Sequence, residues 1–237
     1  MLKDITHKQS EAFILSTYQR GAKYHAALQL RHLKASFNFA IRRGYIPSNP
    51  LEAITLRLPE RPQIFITKDE LNKIIQTETN PILSLIYEFL FFTGCRIGEV
   101  INLQFSHIDT SSNKINIQNS ATFKTKSGKN RIIPMSKVVV RIISIMKDQK
   151  INEFVFGKRY SSSYISHRFK RITRAIELNE HLRLHDLRHS FASSLVQKGV
   201  SLYVVKEILG HKNISTTEKY SHLHKQNLVD AIKVLDD

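Results

Sequence analysis

Tyr220 closes a hydroxyl-rich, basic stretch, "NISTTEKY", nine residues after His211. A phenol can attack phosphorus, but at its ordinary pKa near 10 it needs a partner to take its proton. Upstream, "RLHDLRHSF" sets His185 and Arg188 three residues apart at a helix start, so both project from one side of the first turns. A histidine, an arginine and the free amides of a helix N-terminus together suit a phosphate. In "TGCRIGE", Arg96 follows a glycine break beside an apolar run, and Glu99 stands one turn on, where it can hold the guanidinium fork. Taken singly, each feature has an ordinary reading: a packed tyrosine, a surface pair, a helix-start salt bridge. His211 alone reads as a cation capping a helix C-terminus.

The bulk numbers narrow the chemistry. A formal charge of +16 over 237 residues points to a polyanionic partner, most often nucleic acid. With 41% apolar residues the chain can bury a core. Cys95 is the single cysteine, which excludes an intramolecular disulfide and a cysteine-based zinc site and fits a reducing compartment. The polar start "MLKDITHKQSEAF" does not read as a signal peptide. The run "PILSLIYEFLFF" is too short to span a bilayer and contains Glu88. The expectation is a soluble, cytoplasmic protein with no membrane partner.

Caps and periodicity then give the elements. Thr6 and Gln9 form a capping-box pair opening a helix to about Arg20, and a second helix runs from about Lys23 to Arg43. Arg31, Lys34 and Arg42 fall off its apolar stripe, at positions suited to DNA phosphate. The proline-bearing "LRLPERPQ", residues 56–63, reads as an interdomain linker. Thr67 and Glu70 start a further helix, and Asn80 and Pro81 open a buried one that Gly94 ends. "KINIQ" and "RIIPM" read as strands flanking a lysine-rich loop. Helices resume near Ser136, Ser163, His185 and Ser201, with a last one over about 226–235. The fold class is mainly α with a small antiparallel β-sheet.

Four motifs, "TGCRIGE", "TKSGKNRIIP", "HDLRHSFAS" and "LGHKNISTTEKY", occur in one order with consistent gaps. In this the chain resembles the tyrosine recombinases, or phage-integrase family. The resemblance implies a catalytic domain over 64–237, preceded by a partial helical core-binding domain over 1–55. It places the family's active-site residues on Arg96, Lys126, His185, Arg188, His211 and Tyr220. Lys124 and Lys129 compete with Lys126, which matches because it stands just before Ser-Gly and eight residues before Pro134; the other two are then expected to contact DNA. Glu99 and His189 are supporting residues, the first holding Arg96, the second packing or orienting the site.

The implied chemistry agrees with the residues. Two arginines and His211 can neutralise charge developing on a nonbridging phosphate oxygen. His185 is the expected base for the Tyr220 hydroxyl, and the hairpin lysine the expected acid for the departing 5′ oxygen. The family implies a site-specific recombinase acting on double-stranded DNA with no cofactor, as a homodimer to homotetramer. The 226–235 helix, with Leu228, Ile232 and Leu235, is expected to dock on a neighbouring subunit or on its own domain. Two rivals stand beside this reading. One is a DNA-binding remnant without catalysis. The other is a zinc face on His181, His185 and His189, in which Asp186 occupies the place of the glutamate such a site needs.

Overall fold

The computed structural model describes residues 4–59, 63–119, 128, 130–157 and 160–223. The chain divides into two compact units, residues 1–62 and 63–237.

In the first unit, Thr6 caps α1 (His7–Gln19): its hydroxyl accepts from the Gln9 amide while the Gln9 side chain accepts from the Thr6 amide. α2 (Lys23–Arg42) packs on α1 through Ile14, Leu30, Phe37 and Ala40, and Ile46, Leu51 and Ile54 close this small core. Arg31 and Arg42 are exposed on α2. Lys34, half-buried on the same helix, donates its Nζ to the Glu52 carbonyl at 2.9 Å. The stretch read as a linker begins as part of this unit. Tyr18 and Tyr24 donate to the Arg57 and Pro59 carbonyls at 2.6 Å each, and Leu56 packs on the core. Extended chain makes no hydrogen bonds of its own, so its carbonyls are available to two nearby phenols.

The second unit is organised around one buried helix. α3 (Lys68–Thr77) opens with the Thr67–Glu70 capping box. α4 (Pro81–Thr93) starts where the Asn80 side chain accepts from the Ile82 and Leu83 amides, and ends at Gly94 with φ 63°. Leu83, Ile86, Tyr87, Phe89, Leu90 and Phe91 are all buried, so α4 is apolar around most of its circumference. Each such side chain contributes about 1.5–3 kcal/mol on leaving water. α5 (Ile97–Ile101) follows, then a three-stranded antiparallel sheet in the order β1 (Ile108–Asp109), β2 (Lys114–Ile117), β3 (Arg131–Pro134). Its register pairs Ile115 with Ile133 and Ile117 with Arg131, and the three isoleucines face the core. β1 has only two residues and no alternation of its own; pairing with β2 creates it.

α6 (Lys137–Asp148), α7 (Ser162–Ala175) and α9 (Leu202–Leu209) are capped by the hydroxyls of Ser136, Ser161 and Ser201. α8 (Asp186–Gln197) begins at His185, and α10 (Ser215–Glu218) is a single turn. Buried Glu78 takes the Arg168 fork from α7 and the Tyr87 hydroxyl from α4, fixing α3, α4 and α7 together. A second apolar cluster of Ala192, Val196, Val205, Leu209 and Tyr220 joins α8, α9 and the turn after α10. Among the described residues no helix is long and apolar enough to cross a membrane. The helix expected over 226–235 lies outside the described residues.

Candidate active site

The site begins with a glycine. At Gly94 a β-carbon would lie 2.4 Å from Phe191 Cδ1 and 2.9 Å from Leu209 Cδ2, in addition to the positive φ. Only glycine lets the end of α4 touch α8 and α9 this closely. That contact brings two helix-terminal carbonyls to one guanidinium: Arg188 donates NH1 to Gly94 O at 2.6 Å and NH2 to Leu209 O at 2.7 Å. C-terminal carbonyls carry partial negative charge and suit a cation. Arg188 is 2% exposed. Burial, and then neighbouring Arg96, push its pKa down to about 9, which leaves it cationic at neutral pH.

Arg96 caps α5. Its amide donates to Glu99 Oε2 at 2.7 Å and its NH1 to Oε1 at 3.1 Å. The same carboxylate receives the guanidinium fork of Arg131 on β3, at 2.8 and 2.7 Å. Burial works against both charges, but their hydrogen bonds prevail: Glu99 is held below the usual carboxylate range and Arg131 above its own. Arg131 Nε also donates to Ile208 O at 2.7 Å. A β-carbon at Gly210 would come 2.8 Å from Arg131 Cδ, so this second left-handed glycine ends α9 flat against the arginine. Sequence reasoning did not single out Arg131. Its signal was weak: one cation at the start of a strand whose inward residues are isoleucine.

The segment after Gly210 carries the remaining groups. His211 pairs its Nδ1 with Thr217 Oγ1 at 2.8 Å. Tyr220 is 1% exposed, with its ring in the apolar cluster and its hydroxyl 2.5 Å from His189 Nδ1. Lys219 Nζ lies 3.1 Å from that same nitrogen and 5.0 Å over the Tyr220 ring. Both neighbours of Nδ1 are donors, which assigns the neutral ring's proton to Nε2. Burial and then Lys219 push the His189 pKa down to about 3; burial, Arg188 and Arg96 do the same to His211. Burial also raises the Tyr220 phenol above its ordinary value.

The histidine meeting the tyrosine hydroxyl is therefore His189, whereas sequence reasoning gave the proton-accepting role to His185. His185 sits exposed at the N-cap of α8, its ring edge-on to His189 with centroids 4.9 Å apart. The structure thus gathers Arg96, Glu99, Arg131, Arg188, His185, His189, His211, Lys219 and Tyr220 on one side of the second unit. Lys124, Lys126 and Lys129 lie outside the described residues. Near them in sequence, the Asn119 side chain donates to Gly128 O at 2.8 Å, and its amide to Asn130 Oδ1 at 3.1 Å. Among the described residues, no three His, Cys, Asp or Glu side chains are grouped so as to hold a metal ion.

Cations crowd this site and lower one another's proton affinity. Arg96 acts on Arg188, and both act on His211. Such a centre favours an anion, and a tyrosine borders it. The comparisons agree with that class. The phage integrase family model matches residues 64–227. The chain is 28% identical over 220 residues to the tyrosine recombinase XerC of Yersinia pestis, spanning 85% of this chain and 69% of that one. It is 31% identical over 211 residues to a tyrosine recombinase of Thermosipho africanus, spanning 86% and 73%. The fold is similar to that of the Tn1549 transposon integrase, solved in complex with a circular intermediate DNA. That match has a TM-score of 0.80 at 20% identity and covers 99% of this chain and 85% of the other. The chain belongs to the phage integrase family and is a tyrosine recombinase.

Proposed function

We propose that the chain breaks and rejoins double-stranded DNA at a specific site through a 3′-phosphotyrosyl intermediate, using neither metal nor ATP. The observation that carries this reading is a tyrosine hydroxyl held on a bare histidine nitrogen beside two arginines anchored by helix ends and a buried carboxylate. Arg96, Arg188 and His211 receive the nonbridging oxygens of the scissile phosphate and neutralise the charge that grows there.

Tyr220 leaves its closed position, where it is 1% exposed, to reach that phosphate. His189 holds the hydroxyl in the closed state. His185, exposed at the helix start beside it, takes the phenol proton as the tyrosine oxygen bonds to phosphorus. The bond from phosphorus to the 5′ oxygen breaks, and Lys126 returns a proton to that oxygen, giving a free 5′ hydroxyl. The ester bond is conserved on the protein, so a hydroxyl from the same or another duplex reverses the step without an energy source.

Each chain brings one Tyr220, and each tyrosine opens one strand. Exchange between two duplexes breaks four strands and so takes a homotetramer on DNA, assembled through homodimers, with residues 226–235 as the candidate docking element. Arg31 and Arg42 on α2, with Lys124 and Lys129, add phosphate contacts. The test is covalent trapping. Nicked duplexes tiled across the DNA flanking the gene are incubated with the protein in chelator and without ATP. A denaturing gel should show a shifted band for wild type and none for Tyr220→Phe. A duplex that is bound but never trapped would instead favour a binding-only protein.

A further inference from the structure

Glu99 carries one negative charge and two guanidinium groups. Among the described residues, this carboxylate pairs with Arg96, whose side chain is 21% exposed, and with Arg131, whose side chain is 6% exposed. The two partners are not equivalent. Arg131 takes both carboxylate oxygens at 2.8 and 2.7 Å, whereas Arg96 reaches one oxygen with one side-chain nitrogen at 3.1 Å. Arg131 also gives its Nε to Ile208 O, so its fork and its remaining edge are committed to the protein. Arg96 keeps donors uncommitted to Glu99 and stands on the more open side.

We infer that Arg131 is a positioning residue that consumes the charge of Glu99, leaving Arg96 free to present its own positive charge to the scissile phosphate. Without Arg131, Arg96 and Glu99 make a neutral pair, and a phosphate approaching Arg96 meets the repulsion of a carboxylate 3.1 Å behind its NH1. With Arg131, the triad is net cationic, and the surplus sits on its outer member. Glu99 then fixes where Arg96 points without cancelling what it offers. A scaffold alone does not call for this arrangement. Buried ion triads are often no more stable than apolar side chains of the same volume, so the charges have a use beyond holding β3 to α5 and α9.

The inference rests on the proposed cleavage reaction, and its test separates the two. The probe is the nicked duplex that wild type traps, read as single-turnover formation of the covalent band at saturating protein. Arg131→Gln should slow that step about 100-fold, the scale of losing one oxyanion donor, with DNA affinity unchanged. The double variant Glu99→Gln/Arg131→Gln removes the orphaned carboxylate and should return the rate to within about 10-fold of wild type, as coupled neighbours allow. If Arg131→Gln does not fold, Arg131→Lys carries the same test, because it keeps the charge but not the fork, and should lie within about 10-fold of wild type. A double variant as slow as Arg131→Gln, or an Arg131→Lys as slow as an arginine deletion, would show that the residue is scaffold only and would overturn the inference. A wild-type band with Arg131→Gln at wild-type rate overturns it too while leaving the reaction standing. No Tyr220-dependent band from wild type overturns both.

Discussion

The two halves of the site are built differently. On the arginine side, Arg188 is clamped by two helix-end carbonyls, and Arg96 by a carboxylate that Arg131 also holds. These groups come from α5, α8 and β3, and the ends of α4 and α9 supply the carbonyls, so five elements share the work. On the tyrosine side, residues 211–223 contain one four-residue helix and one short 3-10 turn. Each functional group there rests on few polar contacts: His211 on Thr217, Tyr220 on His189. The contrast matches what the two halves must do. Charge stabilisation is effective only when its donors are fixed before the reaction. In the proposed reaction a nucleophile has to arrive, and Tyr220, 1% exposed, has to leave its packing first.

Breaking the fixed half should cost most. Arg188→Ala removes a cation and leaves the Gly94 and Leu209 carbonyls without their donor; cleavage should fall about 1,000-fold, the upper end for one lost donor, while filter binding of the duplex weakens far less. The two histidines then sharpen the division. His185→Ala should slow the chemical step about 100-fold if it takes the phenol proton. His189→Ala should change the rate about fivefold or less, the worth of one net hydrogen bond, while raising the iodination rate of Tyr220 as the hydroxyl loses its holder. Equal losses from both would erase the distinction between holding and reacting. Gly94→Ala attacks the seam itself. Its β-carbon collides with Phe191 and Leu209, so thermal melts should show about 1–3 kcal/mol of lost stability.

A pH dependence of stability completes the set. His189 and His211 have folded-state pKa values pushed down to about 3 from an ordinary 6.5. The unfolded chain therefore binds protons that the folded chain refuses. Their contribution to stability is complete above about pH 6.5 and is lost as pH falls from there towards 3. Melting temperature should fall across that window, and His189→Gln should flatten part of the slope. A flat profile in wild type would mean that neither ring is held neutral by the fold.

Much of the fixed half was legible because its signals are local. Asn80–Pro81 and Gly94 bound α4 in sequence as they do in the structure, and Ser136 and Ser201 announce their helices through hydroxyl caps. Arg96 and Glu99 are three residues apart, so their pairing is readable from one turn of chain. Arg131 was not legible, because its partner is 32 residues away on α5 and only the packing of β3 beside α5 brings the two together. His189 was legible as a supporting residue but its partner was not, because it meets a tyrosine 31 residues downstream through the packing of α8 on the last turns. Local pattern also could not show the partner of Lys34, whose ammonium reaches a carbonyl 18 residues on.

The most direct measurement is to find the atom that carries the DNA. The trapped complex would be digested with trypsin and nuclease and the modified peptide sequenced by mass spectrometry. Cleavage after Lys219 places Tyr220 at the start of the peptide "YSHLHK". The expected product is a nucleotide joined through its 3′ phosphate to the Tyr220 oxygen. A nucleotide on Ser221 or any other side chain, or one attached through a 5′ phosphate, would contradict it.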